Sequence, residues 1–243
     1  MSGARLRVLI WIAAVFAAAA ALALTLHISR TDPVGPRPPE QRPVLLLLTS
    51  LPLIFSEQFS LQGGGSPALK ALESRYRVVP ISVTDRAELG KGKLLLLAQP
   101  TVEPAEDLVE LDQWARGGGR VLLLADPMLE WPSSRPLGDP LRPPPMFVDT
   151  GLLAHWGLRL DAPDQRGLQI RKLGGYDVLT ASPGSLYGRC MISPDRLVAR
   201  CRIGKGSATV VADADLLDGD HLDGRAGHNL DGLLVELARL ERP

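Results

Sequence analysis

The sequence predicts an α/β domain with a doubly wound, mostly parallel sheet, and three observations carry that reading. Short apolar runs recur at Val44–Leu48, Leu94–Ala98 and Arg120–Ala125; continuous runs of this length suit strands buried on both faces. Stretches of helical period lie between them, each with its own start and stop residues. Strand and helix alternate at the spacing of βαβ units.

Taken in order, Val44–Leu48 is the first strand. Gly63–Gly65 leads to Ser66 as N-cap and Pro67 at the first helical position, with Leu69, Leu72 and Tyr76 on one face. Val78–Val83 reads as the second strand and Leu94–Ala98 as the third. Pro104 opens the next helix, with Glu106 and Asp107 in its first turn, where the helix dipole favours acids. Its inner stripe is Leu108, Leu111 and Trp114 or Ala115, and Gly117–Gly119 ends it. Arg120–Ala125 is the fourth strand. Asp126–Met146 then breaks the rhythm with seven prolines and no element pattern, and a long loop of this kind is functional or mobile. Asp149 caps a short helix through Trp156. Leu158–Leu160, Leu168–Ile170, Val178–Thr180, Gly188–Ile192 and Leu197–Ile203 read as an inserted antiparallel region. The parallel sheet resumes at Ser207–Ala212, and Leu230–Leu240 is the closing helix.

Ahead of the domain, Arg5 and Arg7 precede an uncharged run from Val8 to Leu26 that Ile28 extends. Such a helix covers roughly 28 Å, close to the hydrocarbon thickness of a bilayer. The expected layout is a cytoplasmic N-terminus at 1–7, an uncleaved signal-anchor at 8–28, a Pro-rich extended spacer at 29–42 and the folded domain at 43–243. That places the chain in a bacterial inner membrane as a single-pass protein with its C-terminal domain in the periplasm.

Composition narrows the function classes. The 27 basic and 27 acidic residues balance to a net charge of +0, which leaves no electrostatic footprint for nucleic acid. Two cysteines exclude a disulfide-dense scaffold and a multi-cysteine zinc module. Cys190 and Cys201 sit in consecutive strands around a Ser-Pro-Asp-Arg turn. An exported domain makes them a structural disulfide; the other reading is two buried thiols in a cytosolic protein.

The richest polar cluster is Asp213, Asp215, Asp218, Asp220, His221, Asp223 and His228, directly after an apolar strand. Asp126 follows another strand in the same way. Open α/β sheets bind ligands at that carboxyl edge, so Asp126, Asp213 and Asp215 are ligand-site candidates. Asp213 and Asp215 are also the residues to test as ligands of a divalent cation. The competing reading is a solvated turn region in which Asp supplies caps. There is no GxxxxGK[ST], no GxGxxG, no GxSxG and no HExxH. Trp131 stands among Pro127, Pro132 and Pro136, either as an interface anchor or folded back as a lid.

A resemblance enters with VLLLLTS at 44–50, LLLLAQP at 94–100, LDQWARGGGRVLLLADP at 111–127, GKGSATVVAD at 204–213 and Asn229 at the start of the last helix. These segments resemble the glutamine-amidotransferase-like domain of bacterial membrane proteins such as domain of unknown function 4350. The auxiliary domains of gliding-motility-type ABC transporters are similar. The resemblance implies a flavodoxin-type sheet with helices on both faces, a membrane tether and an accessory or binding role. Ser50, Gln99 and Asp126 follow the strands where a catalytic amidotransferase carries a Cys, so the activity itself is not implied. The expected function is a non-catalytic, membrane-anchored accessory protein. Its domain would recruit a ligand or partner through Ser50, Gln99, Asp126, Trp131, Asp213, Asp215 and Asn229, for an ABC transporter or envelope assembly and with no cofactor. The alternative is a divalent-metal-dependent hydrolase built on the Asp cluster, in which a carboxylate activates water.

Overall fold

Four aliphatic strands form the centre of the main sheet, and burial along nearly their whole length requires cover on both faces. The computed structural model describes residues 34–55, 65–219, 222 and 227–242. The expected anchor at 8–28, Gly63, Gly64, Asp220, His221 and Asp223 lie outside the described residues.

The strands of the main sheet are β1 (Val44–Thr49), β2 (Arg77–Pro80), β3 (Leu94–Ala98), β4 (Arg120–Leu124), and then β9 (Met191–Ile192), β10 (Val198–Ile203) and β11 (Gly206–Val211). Their spatial order is β2-β1-β3-β4-β11-β10-β9. The first five in that order are parallel, while β10 runs antiparallel to both β11 and β9. The parallel part therefore has the flavodoxin-type order 2-1-3-4-5, with its switch point between β1 and β3. Every residue of Leu94–Ala98 is buried. Because alternate side chains point to opposite faces, that pattern means helices cover both sides.

Those helices are α1 (Pro67–Glu73), α2 (Arg86–Leu89), α3 (Ala105–Arg116), α4 (Leu152–His155) and α5 (Asn229–Leu240). Ser66 caps α1 as expected, its hydroxyl accepting from Leu69 N at 3.1 Å. Helix α1 packs on α5 and α2 on α3, and α5 also packs on β4 and β11. Between α4 and β9 come β5 (Leu158–Asp161), β6 (Leu168–Leu173), β7 (Tyr176–Ala181) and β8 (Ser185–Gly188), paired as β5–β8 and β6–β7. The inserted antiparallel region is thus two separate ribbons, plus β9 and β10 added to the main sheet.

Four expectations change in detail. The second strand ends at Pro80, where the missing N–H closes the edge. A short helix not read from the sequence, α2, follows because the Asp85 carboxylate accepts from Glu88 N at 2.7 Å. The run Gly188–Ile192 divides at Gly188, whose φ of 144° and contact with Gly157 leave no room for a side chain. The described part of the expected spacer, Val34–Arg42, belongs to the compact unit. Arg37 N donates to Ser74 O at 2.9 Å, and the Arg37 guanidinium pairs with Glu241 at 2.6 Å. Among the described residues no helix is long and apolar enough to cross a membrane.

Candidate functional site

The carboxyl ends of the parallel strands place Ser50, Gln99, Asp126, Asp213 and Asp215 along one edge, and hydrogen bonds join them into a belt. Thr49, at the end of β1, donates its hydroxyl to Ala98 O at 2.9 Å, and the Ser50 hydroxyl donates to Gln99 O. Gln99 has a φ of 46°, a left-handed conformation that a side chain adopts only when its surroundings hold it. They do so: its amide oxygen accepts from Asp126 N at 2.9 Å, and its amide nitrogen donates to Asp126 O and Pro144 O, both at 3.2 Å.

The belt continues through carboxylates. Asp126 accepts from Met128 N at 2.8 Å on one oxygen, and from Ala214 N at 2.8 Å and Asp215 N at 3.4 Å on the other. Asp213 accepts from Leu216 N at 2.8 Å and Ala181 N at 3.1 Å. Asp215 accepts from Glu130 N at 2.8 Å, and Glu130 in turn accepts from the Ser182 hydroxyl. Asp126 and Asp213 are fully buried and Asp215 and Asp218 nearly so, so for these four a buried setting replaces the solvated one, while His228 of the same cluster is exposed.

Electrostatics follow from that burial. Loss of water raises the Asp126 carboxyl to about 6, against the lowering effect of its N–H donors. Burial, then the Asp126 charge, pushes Asp215 up to about 8. Asp213 stands well above the ordinary carboxylate range, through burial first and the charges of Asp126 and Asp215 next. Among the described residues none of the three pairs with a Lys, Arg or His. At neutral pH the cluster therefore holds protons rather than a full set of negative charges. Among the described residues no three His, Cys, Asp or Glu side chains are placed to hold a metal ion. The carboxylate oxygens are turned to backbone N–H groups, the same job an N-cap does. The arrangement fixes the loops that carry those N–H groups.

Asn229 is placed apart from that row, at the start of α5. Its oxygen accepts from Leu179 N at 2.8 Å, while its nitrogen donates to Leu179 O at 2.8 Å and Leu216 O at 2.9 Å. The side-chain amide thus acts as a one-residue strand beside β7. Trp131 is half-buried and packs against the core, which favours the folded-back reading over a presented anchor. The loop that carries it is tied at its base: Leu129 N donates to Pro145 O at 2.9 Å and Phe147 N to Asp126 O at 2.6 Å. Farther out, Leu137 and Leu141 stand 76% and 68% exposed.

Two members of the belt escape sequence reasoning. Glu130 lies in the Pro-rich loop, where no periodicity marks its direction. Ser182 has a φ of 48°, and its hydroxyl also accepts from Gly167 N at 2.8 Å. The Ser182-Pro183-Gly184 turn was the available signal.

Cys190 and Cys201 form a disulfide with Cα atoms 4.8 Å apart. The β9–β10 register pairs Met191 with Arg200, which brings Cys190 opposite Cys201 one step farther along. The reading as two unpaired thiols is thereby replaced.

No protein-family model matches the chain. No curated protein matches it either. Among solved structures, the mmIFT52 N-terminal domain is similar at 14% identity with a TM-score of 0.53, over 82% of this chain and 98% of that one. The fold is class I glutamine amidotransferase-like. The cytoplasmic protein STM3548 from Salmonella typhimurium aligns at 10% identity and a TM-score of 0.48, over 82% of this chain and 98% of that one. The exo-beta-1,4-mannosidase Op5Man5 from Opitutaceae bacterium strain TAV5 aligns at 14% identity and a TM-score of 0.48, over 90% of this chain. The chain spans 38% of the length of that mannosidase. The chain's two cysteines are both in the disulfide, and the strand ends carry Ser50, Gln99, Asp126 and Asp213.

Proposed function

We propose that this chain is a non-catalytic accessory protein of the bacterial inner membrane. In this reading an N-terminal anchor holds an exported amidotransferase-like domain that binds a protein partner in a membrane complex, such as an ABC transporter or an envelope assembly. The observation that carries the reading is the Cys190–Cys201 disulfide. It consumes both thiols of the chain, so no cysteine nucleophile is left, and disulfides persist in oxidising compartments such as the periplasm. The belt supports the same conclusion, since its polar side chains are engaged in holding loops.

The partner-binding element in this proposal is the Pro-rich loop. It is fixed at its base by Asp126 and Asp215 and carries Leu137 and Leu141 outward. Apolar side chains on pre-ordered backbone lose little entropy on docking. The test is to purify the full chain, tagged at its C-terminus, from crosslinked membranes in mild detergent. A membrane-complex component is expected near stoichiometry with the wild type and absent with the Leu137→Asp/Leu141→Asp double variant, at unchanged melting temperature. Recovery of the wild-type chain alone would sink the reading.

A further inference from the structure

The overall charge of +0 conceals an uneven distribution. The rim formed by the amino ends of the parallel strands carries Arg77 on β2, Lys93 before β3, Lys205 before β11, Arg202 near the end of antiparallel β10 and Arg242 after α5. The sheet order and register set the first four along one edge, with β1 between Arg77 and Lys93 and β4 between Lys93 and the β10–β11 pair. Val44 pairs with Arg77, Leu94 with Arg120, Arg120 with Ser207 and Ser207 with Arg202. From β2 to β10 is five strand spacings, about 24 Å. Arg77, Lys93, Arg202, Lys205 and Arg242 are all exposed, and among the described residues none makes an ion pair.

Their local surroundings do not account for them. The helix C-termini at this rim already have basic residues in their last turns, namely Lys70, Arg116 and Arg239. Glu241, Asp112 and Glu88 are held by Arg37, Arg116 and Lys91. The exposed Glu40 and Glu73 remain, so five basic groups face two acidic ones.

The chain enters the domain at this same rim. Val34 packs on the core, and Arg37 pairs with Glu241, whose backbone carbonyl takes a hydrogen bond from Arg120 at the start of β4. Only residues 29–33 separate the apolar run from Val34, and five residues reach at most about 18 Å. If the apolar run is a membrane anchor, a leash of that length keeps the Val34 attachment point within about two screening lengths of the bilayer surface.

We infer that the basic amino-edge rim is a docking surface for anionic phospholipid headgroups, which holds the domain with its carboxyl edge and Pro-rich loop turned away from the bilayer. The inference rests on the anchored reading above. Charge complementarity supplies the attraction, and the tether supplies a high local concentration of lipid.

The test is lysine acetylation followed by mass spectrometry on the full chain. It is reconstituted in nanodiscs of phosphatidylcholine alone or with one part in three phosphatidylglycerol. Lys93 and Lys205 are expected to react about fivefold more slowly in the anionic discs, the factor for one basic residue near such a surface. Lys172, on the β6–β7 ribbon, should not change. Raising the salt to about 0.5 M should restore the reactivity of Lys93 and Lys205. An Arg77→Glu/Arg202→Glu variant should lose the protection while keeping its melting temperature. Equal labelling in both disc types overturns the inference, as does protection of the same size in neutral discs. If the chain fails to enter discs, the anchored reading falls; co-sedimentation of the free chain with phosphatidylglycerol vesicles then decides the lipid question, and failure to sediment overturns it.

Discussion

At the carboxyl end of the parallel strands, Asp126, Asp213 and Asp215 are buried and turned to backbone N–H groups. At the amino end, Arg77, Lys93 and Lys205 stand in solvent with no ion pair among the described residues. The two ends carry opposite charge types in opposite environments. A buried acid surrounded by N–H donors is part of the architecture, and removing it leaves donors with no water to turn to. An exposed base without a partner contributes little to folding and remains available to something outside the domain. The contrast separates residues whose loss unfolds the domain from residues whose loss changes only what it touches.

Asp213→Ala should give the largest effect, because Leu216 N and Ala181 N would both lose their acceptor in a dry site. A loss of about 3 kcal/mol is expected from urea denaturation. Asp213→Asn, with one acceptor oxygen, should lose less. An alanine variant as stable as the wild type would mean that the belt does not hold the β7 end. Cutting the disulfide comes next. The link joins residues 11 apart in sequence, so reduction or Cys190→Ser/Cys201→Ser should cost about 2.5 kcal/mol. Calorimetry with and without reductant measures it.

The pH dependence sharpens the comparison at a single residue. Burial pushes the Asp215 carboxyl up to about 8 in the folded chain, against an ordinary carboxylate value of 3.8. Between those values the folded state holds a proton that the unfolded state releases, so stability falls as pH rises from about 4 to about 8. The slope from this residue is at most about 1.4 kcal/mol per pH unit. Asp215→Asn keeps an acceptor for Glu130 N and removes the titration. Its melting temperature should vary less with pH, and at pH 8 it should exceed the wild type. A variant with the full wild-type slope would show that burial at this edge is not what governs stability. The smallest effect belongs to the other end: Lys93→Glu or Lys205→Glu should shift stability by less than about 0.5 kcal/mol. A larger loss in either would mean that the amino rim has a folding role.

The central sheet was legible because its strands are written in aliphatic runs. Leu94–Ala98 admits no alternative once flanked by Gly92 and the helix that starts after Pro104. The Ser66-Pro67 start and the Gly117–Gly119 stop were equally plain, since local backbone chemistry determines them. The edge residues Ser50, Gln99, Asp126, Asp213 and Asp215 could be placed together because parallel topology sends every strand's carboxyl end the same way. Their roles could not be read. Whether Asp215 faces water or Glu130 N depends on how the Pro-rich loop folds back, which is a tertiary contact with no periodicity behind it. Asn229 likewise looks like an ordinary helix-start residue, and only the position of β7 shows its amide standing in for a strand.

The way Arg37 is held has a practical consequence for where the folded domain can be cut. A fragment starting at Pro43, where the strand pattern begins, would lose the Arg37 guanidinium from Glu241 and the Arg37 N–H from Ser74 O. It would uncover the end of α1 and leave the Glu241 carboxylate with Tyr76 and Arg75 but without its shortest ion pair. Truncation tolerance follows the backbone's bonding rather than the first predictable strand. The fragment to express without the N-terminal run therefore starts at Val34, with the nine residues through Arg42 kept as part of the domain.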